Sequence, residues 1–455
     1  MSSSSPDHQA GELSSSATKP TKPTQSERAQ EQGQHGHDSR TRVIEKAEQI
    51  LRLARGPEDH ILHLAWAAAD TANLAILVRF QIPQNIPLKK TISITDLSTA
   101  TNLPADILRR TLRYAMLNDL FTEPAPDHFA HTPASAYLAT RPHVADVVNI
   151  AARELMQITL HLSDGLELQQ QQRRKGEKVA EDAAFKVTYP EFKDSNVFEF
   201  IGGDAELSER YHRYLAGRVK TERWHVRHLR GPPREKSADA CGNAKQLGGS
   251  SAHTIVAIAP VCPPTTTFVV QDINLIALDQ GRESIAAASA HGMVNGQHQA
   301  TTKISPDLEQ RTTFLPHDFF TPNPTPNADV YILRHILHGW SDADVLRILQ
   351  NLVPALKRGA KVLVGEGLIP AEGSPAGGEG QVKRDGGQEK MVRMEDMFML
   401  AVHGARERTA EDFARLFKQA DPAFELIGVT GGQNGAFQSL IEFEYCSNAQ
   451  SSLKE

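Results

Sequence analysis

The chain has 455 residues, 40% hydrophobic and 23% charged, with a net charge of −6. That balance fits a soluble globular protein of two or three domains and gives no general reason to expect a nucleic-acid partner. The three cysteines, Cys241, Cys262 and Cys446, form no CxxC pair, so neither a disulfide framework nor a structural zinc site is expected.

Residues 1–42, rich in Ser, Pro, Gln and His, read as an unstructured tail without the apolar core of a signal peptide. No apolar run reaches the roughly 18 to 20 residues of a membrane span, so a cytoplasmic chain without a membrane partner is expected. "ILHLAWAAADTANLAILVRFQI" then carries apolar residues nearly all round, as a buried or interface helix does. A short strand, helices starting near Thr95 and Pro104, and a hairpin from about Leu120 to Thr132 follow in the order of a winged helix. Arg109, Arg110 and Arg113 on its second helix would have to be exposed to read DNA; Asp106, Asp119 and Glu123 dilute their charge. Residues 165–190 read as a polar surface excursion, and helical patterns resume from about Val197 to Leu229.

The chain then changes character. "TTTFVVQDI", "RTTFLPHDFF", "DVYILRHILH" and "AKVLVGEGLI" are β-branched runs of strand length with helical patterns between several of them. That alternation predicts an α/β fold, a mostly parallel sheet covered by helices on both faces. Inserts near 286–303 and 371–390 read as surface loops. In such sheets ligands bind outside the carboxyl ends of the strands. The four runs end on Asp272, Asp318, His338 and Glu366, which would converge on one rim. "LGGSSAH", with Gly248 and Gly249, lies upstream of Asp272, in the order of a glycine loop and an acid for ribose hydroxyls; the same run is also an ordinary turn.

His335 and His338 are three apart, a spacing that on a strand sends side chains to opposite faces, so no shared metal is expected. Ser341 is a good N-cap, and the helix after it buries Val345, Ile348, Leu349, Leu352 and Leu356 before stopping at Gly359. His338 therefore sits on a strand-to-helix turn beside Trp340, and an imidazole there suits proton removal at neutral pH. A histidine merely filling a turn is the alternative.

Residues 45–445 resemble the S-adenosylmethionine-dependent O-methyltransferases of the plant caffeate and fungal secondary-metabolite type. "RTLRYAMLNDLFTEPAPDHFAHTPAS" is similar to the family's winged-helix dimerisation region, and "LRHILHGWSD" to its catalytic-base motif. The resemblance implies a Rossmann-like class I methyltransferase domain over 190–447, behind an N-terminal helical winged-helix dimerisation domain over 43–165. It implies His338 as base, oriented by Glu366 of "VLVGEGLIP" and Glu407 of "ARERTAEDF". It further implies Asp272 at the cofactor ribose, Asp318 beside the adenine and Arg334 near the cofactor. The partners implied are a small hydroxylated substrate, aromatic or polyketide-like, and a second copy of the chain.

The sequence departs from that pattern at four places: Gln246 for the loop's acid, Ala252 for its last glycine, Gly339 for aspartate and Gly404 for asparagine. "EKSADACGNAK" before the loop also lacks the apolar run of a central strand, so residues 232–245 read either as a weakened strand or as misread sequence. Two functions stay open: an O-methyltransferase, and a catalytically impaired relative acting as a partner in a secondary-metabolite pathway.

Overall fold

The helix Gln25–Trp66 runs back into the segment expected to be unstructured, kinking at Gly56 (φ 70°) just before Pro57. Its first turns are rich in Gln, Glu, Arg and Ala, which form helices readily; low apolar content excludes a core rather than a helix. The computed structural model describes residues 25–221, 224, 242–291, 307–370, 386–431 and 437–446, so residues 1–24 of the expected tail lie outside it. The stretch Arg42–Arg79 is long and apolar enough to cross a membrane by length and composition, which a search for uninterrupted apolar runs missed.

The winged helix forms as expected. Strands β1 (Ile92–Ser93), β2 (Phe121–Ala125) and β3 (His128–His131) make an antiparallel sheet in the order β1-β3-β2. Ser93 caps the helix Ile94–Thr101 by accepting the Asp96 N–H, and the helix Ala105–Met116 buries Leu108, Leu112 and Ala115. Two of its arginines face the wing. Arg109 donates twice to Asp127 at 2.8 and 2.9 Å, and Arg113 twice to Glu123 at 2.9 and 2.7 Å. Bidentate pairing of this kind holds the guanidinium groups on the wing's own carboxylates.

Residues 165–190 are exposed over much of their length, as expected of a surface excursion, with 173–178 all exposed, but the segment is helical and anchored at Gly165 and at the buried Ala183, Ala184 and Phe185. The helix Leu162–Lys175 presses Gly165 against the helix Ala183–Thr188, so close that a Cβ on Gly165 would lie 2.5 Å from the Ala184 nitrogen. Its glutamines bond the returning chain: Gln169 donates to the carbonyls of Ala180 and Glu181, and Gln172 accepts the Ala180 N–H. Most of the polar side chains face solvent as the sequence signalled, while Gln169 and Gln172 supply partners to the returning backbone.

The second sheet has seven strands in the order β6-β5-β4-β7-β8-β10-β9. These are β4 (Asn243–Leu247), β5 (Thr267–Asp272), β6 (Thr312–Pro316), β7 (Val330–Arg334), β8 (Lys361–Gly367), β9 (Phe424–Gly431) and β10 (Gln438–Tyr445). The first five run parallel and β10 is antiparallel to both neighbours. Strand order reverses between β4 and β7, the place where open α/β sheets form a ligand crevice.

Central β4 does form, despite its polar composition, and it starts later than 232; residues 232–241 lie outside the described residues. Lys245 is 7% exposed on this strand and donates to the carbonyls of Thr325 and Pro326 at 2.5 and 2.9 Å. Those bonds compensate its burial, which together with Lys357 lowers its pKa to about 8. The 286–303 insert is helical as far as His291 in the helix Leu275–His291, where Ile285 and Ala288 are buried; residues 292–306 and 371–385 lie outside the described residues. The helix Asp342–Leu352 buries Val345, Ile348, Leu349 and Leu352 against the sheet. Each such side chain contributes about 1.5 to 3 kcal/mol, which anchors the turn before it.

Candidate active site

Two of the four expected strand ends lie beyond their strands. β6 stops at Pro316 and β7 at Arg334, so Asp318 sits on the following loop and His338 on the single 3-10 turn Leu337–Gly339. Asp272 ends β5 and Glu366 is the penultimate residue of β8, as expected.

Glu366 builds the turn. Fully buried, its Oε1 accepts the N–H groups of Ile336 and Leu337, both at 2.9 Å. His335 has left strand geometry (φ 52°), so the two histidines do not point to opposite faces. Their rings lie 5.5 Å apart and their Nδ1 atoms stand 3.7 and 3.8 Å from Glu366 Oε2. His335, His338 and Glu366 thus bring ligand atoms within 4.8 Å of one another, spacing a metal ion could use. The hydrogen bonds commit His338 elsewhere: its Nδ1 donates to Glu407 Oε1 at 2.8 Å.

Glu407 is in turn held by its own backbone N–H, which donates to Asp396. Arg408, fully buried, donates to the carbonyls of Leu337 and Trp340 at 2.7 Å and to Asp342 Oδ1 at 2.8 and 3.0 Å. It clamps both flanks of His338. "ARERT" showed Arg408 in the sequence, but only the fold reveals that clamp.

Burial alone would depress the His338 pKa; attraction to Glu366 and Glu407, with the Glu407 hydrogen bond, outweighs it and raises the imidazole to about 9. Burial also works against ionised Glu366, but His338, His335 and the backbone N–H groups keep its carboxyl below the usual range. Burial drives the His335 ring down to about 3, leaving it neutral.

His338 opens on a cavity of about 700 Å³ at the carboxyl edge of the sheet, lined also by Gly248, Gly249, Asp272, Asp318 and Arg334. Glu366 and Glu407 stand behind the base, off the cavity wall. Gly248 (φ 60°) and Gly249 are needed for packing: a Cβ would lie 2.3 Å from Ile336 Cδ1 at the first and 2.5 Å from Val270 Cγ1 at the second. Asp272 accepts the N–H groups of Ser250 and Asn274, both at 2.9 Å, and Asp318 accepts that of Phe320. Burial raises the Asp272 pKa against those bonds. Arg334 donates to Gln438 Oε1 and the Trp224 carbonyl at 2.9 Å, and burial with nearby Arg218 lowers it to about 9.

Several wall residues had no role in the sequence reading, His317 and Trp224 among them. Gln246 Oε1, His317 Nε2 and Trp224 Nε1 are buried without a partner among the described residues. Gln246 was visible only as a missing acid. Of the other departures, Ala252 takes a left-handed conformation (φ 59°) and is fully buried in the core with Phe268 and Val270, off the cavity wall. Gly404 (φ 61°) has no room for a side chain, since its Cβ would lie 2.2 Å from the Glu181 carbonyl carbon.

Residues 293–422 match the family model described as an O-methyltransferase domain. The chain is 30% identical over 408 residues to O-methyltransferase gsfB of Penicillium aethiopicum, covering 89% of this chain and 86% of that protein. It is 28% identical to the chlorophenol O-methyltransferase of Trichoderma longibrachiatum, over 87% of this chain and 78% of the relative. Among solved structures, OxaC superposes with a TM-score of 0.69 at 21% identity, covering 90% of this chain and 92% of that one. The mitomycin 7-O-methyltransferase MmcR gives 0.65 at 20% identity, over 89% and 100%.

Proposed function

The chain belongs to the S-adenosylmethionine-dependent O-methyltransferases, and on that premise we propose that it methylates a hydroxyl of a small aromatic or polyketide-type metabolite, with His338 as general base. The observation that carries this reading is the Nδ1–Glu407 hydrogen bond, which leaves Nε2 without a partner among the described residues on a ring that lines the cavity. No observation favours the impaired-partner alternative.

The wall suits a polar cofactor. Gln246 Oε1, His317 Nε2 and Trp224 Nε1 lack partners among the described residues, and buried polar atoms are normally satisfied. Gly248, Gly249, Asp272, Asp318 and Arg334 would hold S-adenosylmethionine, with Asp272 at the ribose hydroxyls and Asp318 at the adenine. Bound there, the cofactor supplies an electrophilic sulfonium methyl.

A phenol of pKa near 10 is a poor nucleophile at neutral pH. His338 Nε2 takes its proton, which contributes roughly 10²- to 10⁴-fold in rate. Glu407 fixes the tautomer by holding Nδ1–H, and Glu366 stabilises the imidazolium that forms. Glu366 also holds the turn, so the base keeps its orientation towards the cavity.

The second copy belongs to the same reading, with 43–165 as a dimerisation domain. Ile50 and Leu53 before the kink at Gly56, and Ile61, Leu64 and Trp66 after it, are each more than half exposed, apolar surface of the kind that docks on another chain. Exposed Cys446, unpaired among the described residues, suits a reducing cytoplasm.

Calorimetric titration with S-adenosylhomocysteine tests the cofactor site. Micromolar binding that Asp272→Ala weakens at least about tenfold is expected; absence of heat at millimolar ligand contradicts the reading.

A further inference from the structure

His403 ends the helix Gly386–His403 and is followed by the left-handed Gly404, which packs on Glu181. The His403 ring packs 5.2 Å from Phe198, which stacks 5.6 Å from Trp340, so these three side chains form one aromatic wall of the cavity. Neither ring nitrogen hydrogen-bonds any described residue, in contrast to His131, His212 and His338.

Gly339, next to the base, puts no side chain into the space facing His403. A Cβ there would approach His403 Cε1 and Nδ1 at 3.9 Å, so no side chain stands between the turn of His338 and the second imidazole. Burial, then the charge of His338, lowers the His403 pKa to about 3. The ring is therefore neutral and offers one N–H donor and one lone pair. A ring so weakly basic is unsuited to proton removal, and what it can do is position a ligand.

We propose that His403 hydrogen-bonds a second oxygen of the acceptor, so that the cavity selects planar aromatic substrates carrying another hydroxyl or carbonyl besides the hydroxyl presented to His338. The proposal rests on the O-methyltransferase reading above. The acceptor's ring lies along Phe198 and Trp340, one oxygen reaches the base, and the other reaches His403. The absence of a side chain at Gly339 thus leaves room for the acceptor between the two imidazoles.

Protein loaded with S-adenosylhomocysteine is titrated with 2-naphthol, 2,3-dihydroxynaphthalene and 1,8-dihydroxynaphthalene. At least one diol is expected to bind about three- to tenfold tighter than 2-naphthol, the worth of one hydrogen bond. His403→Ala should bring that ratio to about one while S-adenosylhomocysteine affinity holds, and His403→Gln, which keeps a donor and an acceptor, should restore part of it. A wild-type ratio near one, a ratio that survives His403→Ala, or no binding of any naphthol to loaded protein overturns the assignment while leaving the cofactor site standing. Failure to bind S-adenosylhomocysteine is a different result and removes the underlying reading together with this one.

Discussion

The His338 and Glu407 side chains are joined by a 2.8 Å hydrogen bond from Nδ1 to Oε1, with both residues buried. Glu366 completes the charge environment, its Oε2 lying 3.8 Å from the same nitrogen. Two carboxylates around one imidazole favour its charged form, so the ligand-free base is largely protonated at pH 7. A cation in the cavity opposes that charge and lowers the pKa.

The raised pKa fixes the pH dependence. With His338 at about 9 in the ligand-free protein, kcat/KM for S-adenosylmethionine should rise with pH through a single proton loss near that value, as the free base becomes available. Glu407→Gln removes one attraction, so its rising limb should move to lower pH while kcat falls about 10- to 100-fold. A limb that stays in place would separate Glu407 from the base. Stability carries the opposite sign: the contribution of charged His338 is full below about 6.5 and is lost as pH rises through about 9.

Asp342 behaves the other way. Burial opposes its charge, but Arg408, Arg415 and Arg406 lower it to about 2. Its contribution is present above the ordinary carboxyl range and disappears as pH falls through about 2. Asp342 is 36% exposed, which screens the effect. Asp342→Asn should lower Tm by about 2 to 4 °C at pH 7, with the difference from wild type narrowing towards pH 3 in scanning calorimetry. A constant difference across that range would assign the loss to something other than the carboxylate.

Ala252 looked in the sequence like an obstacle at the cofactor loop, and the structure relocates the problem. The methyl is buried in the core, and the unfavourable feature is a left-handed backbone at a residue with a Cβ. Ala252→Gly should therefore change S-adenosylhomocysteine affinity by less than about twofold. A gain of tenfold or more would show that the methyl does obstruct the ligand.

The winged helix and the alternation of strands and helices were legible because capping, turn and β-branched signals are local; His338 and Glu366 stood out at strand ends, whereas Glu407 came only from the family resemblance. Central β4 was not legible. Its burial of Lys245 depends on carbonyls of Thr325 and Pro326, far along the chain. The placement of His335 failed for a related reason: strand periodicity was extended past Arg334, whereas Glu366 pulls the next residues into a turn. Trp224, His317 and His403 share the cavity with the expected residues, but no motif spacing connects them.

The exposed apolar surface of the helix Gln25–Trp66 makes a concrete demand on assembly. Wild-type protein should scatter light as a dimer at micromolar concentration, and Leu64→Glu with Trp66→Glu should give a monomer that keeps its far-ultraviolet dichroism. A wild-type monomer would end the dimer proposal.

The most direct test of the central claim is methyl transfer by His338→Ala in a single turnover, measured beside its affinity for S-adenosylhomocysteine. The account predicts affinity within about twofold of wild type and a rate lower by at least about two orders of magnitude, as loss of a general base requires. An unchanged rate would contradict it and leave His338 a structural residue of the turn.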